Sequence, residues 1–401
     1  LHAAIGGKSC RWWYLNVEFA GLSWVWFLLY CGVVHLSIDS IDSKKTLLQN
    51  TTMNNSSNTK PKVLLIGFGS VGTMVSYTLE HLGRAEVCAV ARENTYEAIA
   101  NQGYRIESLN YGTIESYIPS NVTLTSKEAK EKYGPFDFIV ITTKNIPDIA
   151  PVVDMLEDCY DEKSVVVLIQ NGIGIEIPIF RKYPKAMVMS GVTLINTTLY
   201  DSTVKHVAKD VIKFGPYINY NLDKQLQLDK CQQFVNMYSN DNNDARLELD
   251  VKFTRWRKLV YNTCINTSCA LTNLDSGRME MFGGTESIII PAMREVIAVA
   301  KSEGVNLPES VIDDMLAVGE GVYYPPSMLI DVRNGEYVEH INIIGNVVKY
   351  GTRNGVDIPT LIVLNNLLKL IQMRTMEAKS RFVLPEKRPL PKDNFKIKYL
   401  Y

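Results

Sequence analysis

Residues 62–72, KVLLIGFGSVG, decide the fold of this chain. Lys62 to Ile66 is a short apolar run, long enough for a buried strand and too short for a helix, and Gly67-Phe68-Gly69-Ser70-Val71-Gly72 follows it at GxGxxG spacing. An amphipathic stretch continues to Leu82, and a second apolar run spans Glu86 to Ala91. Strand, glycine turn, helix and strand in that order make a dinucleotide-binding βαβ unit. Gly67 permits the tight turn, Gly69 lets the backbone approach a pyrophosphate, and Gly72 allows helix and strand to pack closely. The N–H groups of the new helix then face the phosphates. Glycine turns also arise between strands and helices for steric reasons alone, so the flanking strands carry the assignment.

The end of the second strand bears on the choice of cofactor. An Asp or Glu there would hydrogen-bond the ribose 2′-OH of NAD, whereas this chain has Ala91-Arg92, and a guanidinium suits the 2′-phosphate of NADP(H). Arg92 also reads as a solvated surface arginine, and the adjacent Glu93 keeps NAD open. Further strands are expected at Phe136 to Thr142 and Ser164 to Gln170, both nearly unbroken apolar runs, as a parallel sheet covered on both faces requires. Ligands of open α/β sheets sit beyond the carboxyl ends of the strands, which places Lys144 and Asn171 within reach of cofactor or substrate. A solvated turn lysine and plain Asn-Gly turn chemistry are the competing readings.

From Asp244 onward the periodicity becomes helical, with candidates at 250–274, 285–304, 336–354 and 360–380. Gly355 ends one helix and Pro359 opens the next. Lys258, Asn262 and Asn266 recur at i, i+4 and i+8 on one helix face, flanked by the apolar Leu259, Val260, Cys264 and Ile265. A lysine and two amides inside a protein are costly unless a ligand or partner satisfies them. The alternative is a solvated helix face. The expected organisation is an extension over 1–58, a Rossmann-type α/β domain over 59–218, a polar connector over 219–243, an all-α domain over 244–384 and a tail over 385–401.

Composition narrows the classes further. A chain of 401 residues exceeds one compact core, and 46% hydrophobic with 21% charged residues is ordinary for a folded protein. Forty-two basic against 43 acidic residues leave a net charge of -1, so no global field draws it to nucleic acid. Seven cysteines without CxxC spacing and five scattered histidines argue against a disulfide framework or a metal site. Phe19 to Ile38 carries no charged residue and is long enough to span a bilayer, but Lys8 and Arg11 before it and Lys44 and Lys45 after it give poor orienting asymmetry. Met53 opens a polar stretch leading into the first strand. Residues 1–52 are therefore read as an extension with Met53 as the true start and a cytoplasmic protein as the result. A membrane anchor at 19–38 or a removed targeting segment is the alternative.

In order and spacing, six marks resemble the ketopantoate reductases, or 2-dehydropantoate 2-reductases. They are GFGSVG at 67–72, Arg92, TTK at 142–144, QNGIG at 170–174, KxxxNxxxN at 258–266 and PSMLIDVRNGEYVE at 326–339. The likeness runs from about Lys62 to Met376. It implies a Rossmann-type domain followed by an all-α domain of the 6-phosphogluconate dehydrogenase C-terminal type. It implies NADPH-dependent reduction of 2-dehydropantoate to pantoate in pantothenate biosynthesis, with a small 2-keto acid as partner, no metal, no nucleic acid, and compatibility with a homodimer. Carried over by position, Lys258 is the proton donor, Asn262 and Asn266 bind substrate, Ser327 binds its carboxylate, and Glu339 is the acidic partner near lysine and nicotinamide. Gly67 to Gly72, Arg92, Lys144 and Asn171 contact cofactor, Asn171 also lies near the substrate carbonyl, and Thr197 matches a backbone cofactor contact. Pro326 stands where many members have serine, Ile344-Gly345 replaces an Asn-Gly, and residues 142–151 and 219–244 diverge. Reduction of another small 2-keto acid, or a non-catalytic NADP-sensing role, are the competing functions.

Overall fold

The computed structural model describes residues 59–388. The expectations for 1–58, including the 19–38 run and Met53, lie outside the described residues, as does the tail beyond 388. In chain order the strands are β1 Lys62–Ile66, β2 Glu86–Val90, β3 Tyr104–Ser108, β4 Gly112–Tyr117, β5 Asn121–Thr123 and β6 Phe138–Ile141. There follow β7 Val165–Leu168, β8 Met187–Thr193, β9 Thr197–Tyr200, β10 Thr203–His206, β11 Val211–Tyr217 and β12 Asp244–Leu247.

Eight strands form one sheet in the order β12-β11-β8-β7-β6-β1-β2-β5, parallel throughout except where β11 meets β8. The two middle strands, β6 and β7, are apolar at every position, and β1 at all but its first, because helices cover both faces. Val63, Leu65, Val140 and Val167 enter one core, and Leu64, Ile66, Ile139, Ile141, Val166 and Leu168 enter the other. The expected strands and glycine-turn helix are all present, the helix as Ser70–Glu80.

Three features depart from the sequence expectations. A second sheet, β4-β3-β10-β9, was not foreseen, and it bears on the glycine turn through Phe68, whose ring stacks on Tyr104 at 5.6 Å. The stretch 219–243 is more than a connector. Asp223 caps a helix at Lys224–Tyr238 by accepting from the Leu226 N–H, and Cys231, Phe234, Val235 and Tyr238 bury against the sheet. β12 then adds to the sheet edge beside β11, so strands persist to Leu247, past the expected start of the helical domain at 244.

The helical part starts where Asp250 accepts from the Phe253 N–H at 2.9 Å. Val251–Tyr261, a π-turn at Asn262–Asn266 and Thr267–Thr272 form one continuous rod, and Trp256, Leu259, Val260 and Cys264 bury in the core with Met293 and Val296. The helix expected over 336–354 begins only with the π-turn Ile341–Gly345, continued by Asn346–Arg353, and a separate helix occupies Ser327–Arg333. Thr263 Oγ1 donates to the Ile343 carbonyl at 2.7 Å, joining the two π-turns. Such turns free a carbonyl from the helical ladder and recur at functional sites. Among the described residues no helix is long and apolar enough to cross a membrane, and no group of three or more His, Cys, Asp or Glu could hold a metal.

Candidate active site

The glycine turn has the shape its sequence suggests. Gly67 adopts φ +106°, and a Cβ there would lie 2.7 Å from the Thr143 nitrogen. A Cβ on Gly72 would lie 2.0 Å from the Gly67 carbonyl oxygen. Gly69 is the contrast: a Cβ there meets nothing within 4 Å. It caps the helix Ser70–Glu80 without a side chain, so the helix N-terminus opens onto free space in front of the turn. A dinucleotide pyrophosphate fits that arrangement, since the first-turn N–H groups lack internal partners and point where an anion would lie.

Thr142 Oγ1 donates to the Gly67 carbonyl at 2.6 Å, and Ser70 Oγ donates to the Thr197 carbonyl at 3.3 Å. The second contact brings Thr197 to the turn, where its own Oγ1 is buried without a partner. Phe68 is buried and Val71 half-buried against the same core. Arg92 is exposed just beyond β2, at the start of the helix Glu93–Asn101, the position expected of a group that reads the far end of an adenosine ribose.

Lys258 reaches this edge from the helical part. Its Nζ donates to Asn171 Oδ1 at 2.9 Å and to the Thr193 carbonyl at 2.6 Å, so the ammonium is held at the carboxyl ends of β7 and β8. Asn171 Nδ2 in turn donates to Glu339 Oε2 at 3.4 Å, and Glu339 Oε1 accepts from the Asn145 N–H at 2.9 Å. Glu339 is buried in the segment ahead of Ile341–Gly345, not displayed on a helix face. Burial pushes the Lys258 ammonium down to about 8, the Arg255 guanidinium acts in the same direction, and Glu339 opposes both. Burial likewise raises the Glu339 carboxyl above its ordinary range, against the hydrogen bonds from Asn145 and Asn171 that favour its charged form.

Asn262 and Asn266 share the Lys258 face and are buried, with Asn266 Nδ2 donating to Asn262 Oδ1 at 3.4 Å. Asn266 Oδ1 is buried with no donor, an unmet demand that a ligand hydroxyl would answer. Asn171, Lys258 and Asn262 line one narrow pocket with Gln170, Gly172 and Arg255.

Two expected residues stand apart. Ser327 is the exposed first residue of the helix Ser327–Arg333, which Pro326 caps. Lys144 is half-exposed and pairs with Asp331 of the same helix. Sequence reading also missed Arg255, the Thr193 carbonyl and the Asn145 backbone. Only Arg255 had a visible signal, since it lies one helical turn before Lys258 on the buried face.

Comparison with known proteins bears on this geometry. A family model described as Ketopantoate reductase PanE/ApbA matches residues 63–219, and one described as Ketopantoate reductase PanE/ApbA C terminal matches 250–372. An uncharacterized protein of Saccharomyces cerevisiae is 34% identical over 352 residues, covering 81% of this chain and 98% of its own length. The crystal structure of 2-dehydropantoate 2-reductase from Methylococcus capsulatus superposes with a TM-score of 0.68 at 27% identity, covering 78% of this chain and 97% of that one. D-mandelate dehydrogenase, solved with NADH and anilino(oxo)acetate, shares the fold with a TM-score of 0.66 at 19% identity, covering 78% of this chain and 99% of that one.

Proposed function

This chain is an oxidoreductase of the ketopantoate reductase family, and on that premise we propose that it reduces 2-dehydropantoate to pantoate with NADPH, using Lys258 as the proton donor. One observation carries the reading: the Lys258 ammonium is fixed at 2.9 Å from Asn171, at the strand ends that adjoin the open glycine turn. The cytoplasm, pantothenate biosynthesis and a homodimeric assembly belong to the same proposal.

NADPH, when bound along the glycine turn with Arg92 on its 2′-phosphate, supplies the hydride. Lys258 protonates the alkoxide as charge grows on the carbonyl oxygen, and its lowered pKa makes it the readier donor while leaving it mostly protonated near pH 7. Asn171 holds the ammonium on one side and Glu339 on the other, so the proton donor keeps its aim. Asn262 and Asn266 recognise a substrate hydroxyl, with the unmet Asn266 Oδ1 accepting from it. Ser327 and Lys144, which the resemblance assigns to the carboxylate and the cofactor, stand outside this cluster, Ser327 exposed and Lys144 paired with Asp331. A second reading, reduction of a different 2-keto acid, draws support from the exposure of Ser327, the expected carboxylate anchor.

NADPH oxidation by the whole chain tests the proposal, comparing 2-dehydropantoate with 3,3-dimethyl-2-oxobutanoate, which differs only in lacking the hydroxyl, and with pyruvate. The hydroxylated substrate is expected to lead by about 10²-fold or more in kcat/KM, because the analogue leaves buried amides unpaired. Equal turnover of all three, or no turnover of 2-dehydropantoate, would refute 2-dehydropantoate as the substrate.

A further inference from the structure

Arg255 precedes Lys258 by one helical turn and is only 3% exposed. A buried guanidinium is costly unless its donors are met, and here every nitrogen has an acceptor, on β8 or at and just beyond the carboxyl end of β7. Nε donates to Ser190 Oγ at 2.7 Å, Nη1 donates to the carbonyls of Gln170 and Gly172 at 2.9 Å each, and Nη2 donates to the Leu168 carbonyl at 3.4 Å.

Gln170 and Gly172 flank Asn171, so one nitrogen grips the peptide on both sides of the residue that accepts from Lys258. Ser190 lies on β8 three residues before Thr193, whose carbonyl is the ammonium's other acceptor. The turn between has little room to adjust: Gly172 sits at φ +97°, and a Cβ there would lie 2.5 Å from Asn342 Cβ. Both acceptors of the ammonium are therefore tied to one side chain on the ammonium's own helix.

We infer that Arg255 is a positioning residue for the proposed reduction: it fixes Asn171 and the Thr193 carbonyl at bonding distance from Lys258 and keeps a permanent cation one turn away. The inference rests on the reading of Lys258 as proton donor. The charged groups bearing on the ammonium are Arg255 on its own helix and Glu339 from the segment before Ile341–Gly345. β7 and β8 present only neutral acceptors to it, Asn171 and the Thr193 carbonyl. With the guanidinium gone, the balance moves toward Glu339 and the ammonium holds its proton to higher pH.

Arg255→Met and Arg255→Lys in the full chain test this, with kcat followed across pH and NADPH affinity followed by fluorescence titration. Arg255→Met is expected to lower kcat by about 10²-fold, the scale of a misplaced catalytic group. It should also shift the basic limb of the profile upward while NADPH affinity stays within about twofold. Arg255→Lys retains the cation but not the planar fork, so kcat falls while the basic limb stays in place. An unmoved basic limb in Arg255→Met, or wild-type kcat in Arg255→Lys, would overturn the inference, and the lysine variant decides the matter if the methionine variant fails to fold. If the wild-type protein turns over no 2-keto acid, the functional reading has failed instead. Carbon NMR titration of methylated Lys258, assigned with Lys258→Arg, then judges Arg255 directly: a higher midpoint in Arg255→Met supports its role, and an unchanged one ends it.

Discussion

The Lys258 ammonium and the Glu339 carboxylate are joined through a single carboxamide, that of Asn171, whose Oδ1 accepts from Nζ at 2.9 Å and whose Nδ2 donates to Oε2 at 3.4 Å. A cation on one side and an anion on the other leave the amide one satisfying orientation. The sequence resemblance puts Glu339 beside the lysine; the structure makes Asn171 the go-between.

Lys258→Ala should lower kcat by about 10²- to 10⁴-fold, the usual contribution of a positioned acid. NADPH binding should hardly change, since the glycine turn and Arg92 lie on the other part of the chain. Steady-state kinetics with a separate cofactor titration check both halves of this expectation.

The dependence of kcat/KM on pH should be bell-shaped. Lys258 must be protonated to act, so activity falls as pH rises through about 8. Glu339 must be charged to hold Asn171, and its raised pKa places the acidic limb above the usual carboxylate range. Glu339→Gln should abolish the acidic limb and move the basic limb downward, because the carboxylate no longer supports the ammonium. A profile in which both limbs survive the substitution would exclude Glu339 from the titration.

Gly69 and Gly72 should separate binding from stability. Gly72→Ala drives a Cβ into the Gly67 carbonyl and should cost on the order of 1–3 kcal/mol, visible as a lower melting temperature. Gly69→Ala meets nothing within 4 Å, so the melting temperature should hold while NADPH binding weakens, the new methyl standing where phosphate would approach.

Arg92→Ala should weaken NADPH by about tenfold or more and leave NADH nearly unchanged, as loss of a charge-assisted hydrogen bond predicts. Equal losses for the two cofactors, read from their separate KM values, would mean that the 2′-phosphate is recognised elsewhere.

The sheet was legible because its central strands are buried on both faces, which writes VVVL and FIVI as unbroken apolar runs. The second sheet was not, since β3 and β10 alternate polar and apolar residues over only five and four positions, a pattern that loops also show. Lys258, Asn262 and Asn266 declared themselves by spacing on an apolar helix. Contacts through the Thr193 carbonyl and the Asn145 N–H leave no trace in residue identity, because every residue but proline offers the same groups.

The peptide of residue 145 is used at both ends: its N–H serves Glu339, and its carbonyl accepts from Asn342 Nδ2 at 3.1 Å. A seam stitched through main chain is indifferent to what hangs from it. Mutation can rewrite much of TTKNIPDIAP and still leave Glu339 its donor, so drift in this stretch is a poor guide to whether the chemistry beside it has been kept.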